Sequence, residues 1–74
     1  MAGALHVIKG GDVALALATI ERQSAAGDHV TVVLLPGAAV PPLPAGVAVH
    51  RVPEEWSYDR LLEAMFEAEH VTSW

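Results

Sequence analysis

The chain has 74 residues, 53% of them hydrophobic, and a formal net charge of −5. That composition describes one globular domain spanning residues 1–74 and excludes an intrinsically disordered chain. The absence of cysteine excludes disulfides, thiolate metal sites, cysteine nucleophiles and persulfide carriage by this chain.

A domain this short buries only about 60% of the surface that its unfolded chain exposes, so association with itself or with a partner is expected. The cations Lys9, Arg22, Arg51 and Arg60 are scattered, and acids crowd the last third at Glu54, Glu55, Asp59, Glu63, Glu67 and Glu69. This balance argues against direct binding of nucleic acid or of an anionic membrane surface. The longest apolar run, Val30 to Leu35, is too short to span a bilayer, and Met1 to Leu5 lacks the basic start and long apolar stretch of a signal peptide. A cytoplasmic location is expected.

In chain order, Leu5-His6-Val7-Ile8 is a short β-prone run stopped by Gly10-Gly11, with Asp12 placed to cap a helix. Residues Val13 to Ala26 form that helix, with Val13, Leu17 and Ile20 on one stripe and Gly27 as its stop. His29 to Leu35 is β-branched and almost continuously apolar, the pattern of a strand covered on both faces in a parallel sheet. Pro36-Gly37 and Pro41-Pro42-Leu43-Pro44 make a stiff, extended connection. Val47 to Val52 is a third strand, closed by Pro53, and the short connection before it leaves parallel and antiparallel directions both open. Ser57 is placed to cap a last helix whose Tyr58, Leu61, Leu62, Met65 and Phe66 fall on one apolar face, after which the chain ends at His70-Val71-Thr72-Ser73-Trp74. The expected architecture is a small α/β fold, a βαββα three-layer-like sandwich around a mostly parallel sheet.

Few residues carry recognisable chemistry. Lys9, Gly10 and Gly11 sit at a strand-to-helix turn, where exposed amides can hold an anion, but neither the dinucleotide fingerprint nor the P-loop pattern is present, and Asp12 opposes a phosphate. His6, His29, His50 and His70 fit no compact metal-ligand spacing; His50 is notable for its charged neighbours Arg51, Glu54 and Glu55. Glu54-Glu55 reads as a solvated acidic turn rather than an acid/base pair, and Ser24, Ser57 and Ser73 lie in no nucleophile motif. Trp74, following an amphipathic helix, either caps the core or anchors a partner.

Several short motifs carry a family likeness. The opening Leu5-His6-Val7-Ile8 strand, the Ala/Leu helix, the segment Ala26-Gly27-Asp28-His29 with its apolar run to Leu35, and the turn Pro36-Gly37-Ala38-Ala39-Val40 resemble the start of DsrH/TusB proteins. The helix start Ser57-Tyr58-Asp59-Arg60-Leu61-Leu62-Glu63 and the closing His70-Val71-Thr72-Ser73-Trp74 resemble that family's last helix and its terminal Trp. Two departures stand out. A Pro-rich connection at residues 36–46 and one strand replace the family's helical middle, which implies a smaller, truncated sheet. Where some members carry a cysteine near the first helix, this chain has Lys9-Gly10-Gly11-Asp12.

The resemblance implies a non-catalytic subunit without a cofactor. It would assemble with DsrE-like and DsrF-like subunits in a complex that passes persulfide sulfur toward tRNA 2-thiouridine synthesis or sulfur oxidation. Tyr58, Leu62, Phe66 and Trp74 are the expected interface residues. The alternative is a small anion- or nucleotide-binding module built on the Gly10-Gly11 turn.

Overall fold

The apolar, β-branched runs pair into one parallel sheet. The computed structural model describes residues 3–10, 13–38 and 42–74. Its elements are β1 (Gly3–Ile8), α1 (Val13–Ala25), β2 (His29–Leu34), β3 (Ala48–Arg51), α2 (Tyr58–Glu67) and β4 (His70–Ser73). The strands lie in the order β3-β2-β1-β4, and every neighbouring pair is parallel. β1 and β2 are central; β1 is buried along nearly its whole length and so does not alternate, whereas β2 opens with exposed His29 and half-buried Thr31 before the buried run Val32 to Leu34. β3, whose direction the sequence leaves open, runs parallel to β2 with Thr31 opposite Ala48 and Leu34 opposite Arg51.

β4 adds a strand that the βαββα reading lacks. It pairs with β1 from Ala4↔His70 to Val7↔Ser73. The Glu69 amide donates to the Gly3 carbonyl at 2.9 Å and the Trp74 amide to the Val7 carbonyl at 2.8 Å, extending the ladder at both ends. Without β4 the nearly all-apolar β1 would present an unpaired edge, which is an aggregation hazard.

Successive strand residues point to opposite faces, so β1 serves two cores. Leu5 and Val7 pack with Val33, Val52, Leu61 and Ala64 under α2. Ile8 packs with Ile20, Val30, Val32, Leu34 and Ala38 under α1. Three layers result. The chain steps from β1 through β2 to β3 with its crossovers on the α1 face and returns to β4 over the opposite face, so all crossovers share one hand; for parallel strands that hand is right. The described residues of the connection between β2 and β3 form no helix, yet Ala38, Leu43 and Val47 pack on the α1-side core and cover part of the sheet. It begins with a turn in which Pro36 presets the backbone, Gly37 adopts φ +90°, and the Ala38 amide donates to the Leu35 carbonyl at 3.0 Å.

The helix ends follow their sequence signals. α1 stops in a Schellman arrangement: Gly27 takes φ +88°, its amide donates to the Ser24 carbonyl, and the Asp28 amide donates to the Gln23 carbonyl. At the start of α2, Ser57 is extended (φ −74°, ψ 164°) and its hydroxyl accepts from the Arg60 amide at 3.1 Å. Ser57→Ala is therefore expected to cost about 1 kcal/mol. The readout is a lower urea midpoint with unchanged slope, and an unchanged midpoint would remove this cap from the account.

Candidate functional site

Helix α2 is rolled relative to its sequence reading. Leu61 and Ala64 are buried and Ala68 packs beside them, whereas Tyr58, Leu62, Met65 and Phe66 face outward. At 3.6 residues per turn, the inward stripe of 61, 64 and 68 lies about 100° around the helix from the centre of the bulky stripe. The five bulky residues do share one arc of the helix, but only Leu61, at its edge, faces the core. Leu61, Ala64 and Ala68 pack against the cluster of Leu5, Val7, Val33 and Val52, and the bulkier side chains of the helix are left outside. Phe66 is 88% exposed, so Tyr58, Leu62, Met65 and Phe66 form an apolar stripe with nothing packed on it among the described residues.

The same helix leaves part of the sheet uncovered. Four strands at about 4.8 Å spacing make a sheet about 19 Å wide, while one helix covers about 10–12 Å. On the α1 face Ala38, Leu43 and Val47 cover part of the remainder. On the α2 face a groove of about 320 Å³ remains open beside the helix, lined by Leu5, Thr31, His50, Trp56, Arg60 and Glu67 among others. Thr31 and His50, which β2 and β3 point to this face, are only half-buried.

The turn after β3 supplies the groove's aromatic wall. The Glu55 and Trp56 amides both donate to the Arg51 carbonyl, and the Glu55 carboxylate accepts from the Arg51 amide at 2.8 Å. Glu55 thereby occupies a donor on the outer edge of β3, since the next amide, that of Val52, points the other way to Leu34. The turn swings Trp56 over the sheet. Its ring stacks on His50 with centroids 4.3 Å apart and planes at 16°, and the Arg60 guanidinium carbon lies 4.7 Å from the Trp56 ring centroid. Arg60 Nη1 also reaches Glu67 Oε1 at 3.4 Å. Trp56 and Arg60 are four residues apart, a spacing visible in the sequence, but the stack on His50 depends on tertiary structure that the sequence does not reveal.

On the opposite face His6 is fully buried, with its hydrogen-bonding capacity met. The Trp74 indole N–H donates to His6 Nδ1 at 2.9 Å. Indole nitrogen is a donor only, so Nδ1 is the acceptor and Nε2 carries the proton, which it donates to Gln23 Oε1 at 2.6 Å. The Trp74 ring runs nearly parallel to the imidazole, with centroids 6.1 Å apart. One histidine thus joins β1, α1 and the segment after β4. These contacts realise the core-capping alternative for Trp74, which lies on the other side of the sheet from Tyr58, Leu62 and Phe66.

The remaining candidates stay apart. Register places His29 and His50 on the groove face and His6 and His70 on the α1 face, and among the described residues no group of three or more His, Asp or Glu can hold a metal ion. Lys9 and Gly10 are exposed, and the Lys9 amide donates to the Trp74 carbonyl at 3.3 Å; Gly11 and the capping position Asp12 lie outside the described residues. No helix among the described residues is long and apolar enough to cross a membrane. Compared with known proteins, the chain matches no family model, no curated protein and no solved structure.

Proposed function

We propose that this chain is a non-catalytic, cytoplasmic interaction subunit of a sulfur-relay complex of the DsrE/DsrF/DsrH (TusBCD) type. The observation that carries the interaction role is the outward apolar stripe of Tyr58, Leu62, Met65 and Phe66 on α2. Exposed aromatic and aliphatic side chains in one row are the composition of an interface core. The sulfur-relay assignment is supported by the motif resemblance, and the absence of cysteine suits a subunit whose partner supplies the thiol. Further support comes from the two short motifs at the chain's ends, Leu5-His6 and Ser73-Trp74, which meet as the His6–Trp74 pair.

The test is the solution mass of the purified chain, alone and mixed with DsrE-like and DsrF-like proteins from the same source, by light scattering after size exclusion. A mixed complex is expected. Leu62→Ser with Phe66→Ser should weaken it by about 30-fold or more if these side chains are its anchors. Both residues are exposed, so the variant's own unfolding midpoint should barely change. A chain that ignores these proteins, or a complex indifferent to the double substitution, sinks the reading.

A further inference from the structure

We propose that the groove between α2 and the β2–β3 face binds a small organic acid with one carboxylate, which pairs with Arg60 while its apolar body lies along Leu5, Ala64 and the Trp56 ring. This site is independent of the outward stripe on α2 and of the sulfur-relay reading.

The groove's volume of about 320 Å³ lies at the small end of the ligand-pocket range of about 300–1,000 Å³. Its floor is apolar, with Leu5 and Ala64 beside the more open Ala68. Its polar side chains include the donors Arg60 and Trp56, His29, Thr31 and His50, which can both donate and accept, and the acceptor Glu67. The Arg60 guanidinium lies over the Trp56 ring, a cation–π contact that holds it at the groove. The Thr31 hydroxyl and the His50 ring nitrogens make no hydrogen bond within the described residues, so both remain open to a ligand.

The molecule also shows which ligand chemistry the guanidinium accepts. Glu67 places a carboxylate at Arg60 through one contact of 3.4 Å, between side chains that are 45% exposed for Arg60 and 73% exposed for Glu67. A single long contact between solvated groups is a weak bridge that leaves most of the guanidinium donors open. An incoming carboxylate can take the two-pronged geometry that Glu67 does not. A singly charged acid matches one arginine. A phosphate dianion would need more fixed positive charge than this face of an acidic chain supplies.

The experiment is a titration of the ¹⁵N-labelled chain with benzoate, followed by amide and indole resonances. The Trp56 indole and the amides around His50 and Arg60 should move together, while the Trp74 indole, on the other side of the sheet, should stay in place. Arg60→Gln should weaken benzoate binding about tenfold or more. Glu67→Gln, which removes the internal competitor, should tighten it. Benzamidinium and inorganic phosphate serve as the cationic and dianionic controls and should bind more weakly than benzoate. The proposal is overturned if Trp56 does not respond, if Arg60→Gln binds as well as the parent, or if either control binds as tightly as benzoate.

Discussion

Trp74→Ala is expected to cost about 3 kcal/mol, the low end of the range for truncating a large aromatic, because the ring is half-buried against the core. For a 74-residue chain, whose whole stability is expected to be about 4–11 kcal/mol, that is a large share. The effect has separable parts. Truncation removes the ring from the core of Ile8, Ile20 and Leu34 and also strips His6 Nδ1 of its donor in a fully buried position. Trp74→Phe keeps most of the ring and loses only the donor, so it should cost about 1–3 kcal/mol, the penalty for an unpaired buried acceptor. In a His6→Leu background no acceptor remains to be orphaned, and Trp74→Phe should then cost much less; a coupling of about 1 kcal/mol or more is expected from the double-mutant cycle. Urea denaturation followed by circular dichroism reads all four proteins. A parent-like Trp74→Phe would remove the hydrogen bond from this account, and a parent-like Trp74→Ala would remove the packing as well.

The same pair marks the boundary of what the sequence discloses. Local signals placed β1, α1, β2 and both described helix caps within a residue or two, because Gly27, Ser57 and the β-branched run from His29 act on their immediate neighbours. β4 escaped this kind of reading. It has four residues, only two of them β-branched, and its stability comes from pairing with β1, which lies more than 60 residues away in sequence. Nothing in the sequence marks His6 out from the other histidines, because its partners, Gln23 and Trp74, come from different elements. The roll of α2 was hidden for another reason. Helical periodicity reports an apolar stripe without saying whether the bulky residues or the alanines beside them meet the sheet, and here Ala64 and Ala68 do, together with Leu61. The groove follows from that roll together with the sheet's width, so neither its presence nor the His50–Trp56–Arg60 stack was legible residue by residue. The expected interface residues Tyr58, Leu62 and Phe66 do share one exposed face, but they do so because the helix turned them away from the core.

Ile20→Ala is expected to cost about 2–5 kcal/mol, and Ile20→Val about 0.5–1.5 kcal/mol. α1 fixes itself to the sheet with only two fully buried residues, Ala16 and Ile20, of which only Ile20 is large. Ile20 is wholly buried and packs in the cluster with Ile8, Val30, Val32 and Leu34, so its truncation leaves a cavity that Val13 and Leu17, only half-buried at the helix margin, are poorly placed to fill. The damage should also spread along the helix. Gln23 lies one turn beyond Ile20 and accepts from His6, so a loosened α1 gives up the partner of the buried imidazole and weakens the Trp74 contact in turn. Hydrogen exchange separates this coupled loss from a local one. In Ile20→Val, protection should fall in α1 and β4 together, while α2 and the amides around His50, which belong to the core on the other side of the sheet, should keep theirs relative to the global limit. A uniform loss across all elements would mean that the two cores unfold as one unit, and loss confined to α1 would mean that the His6 network does not link the helix to β4.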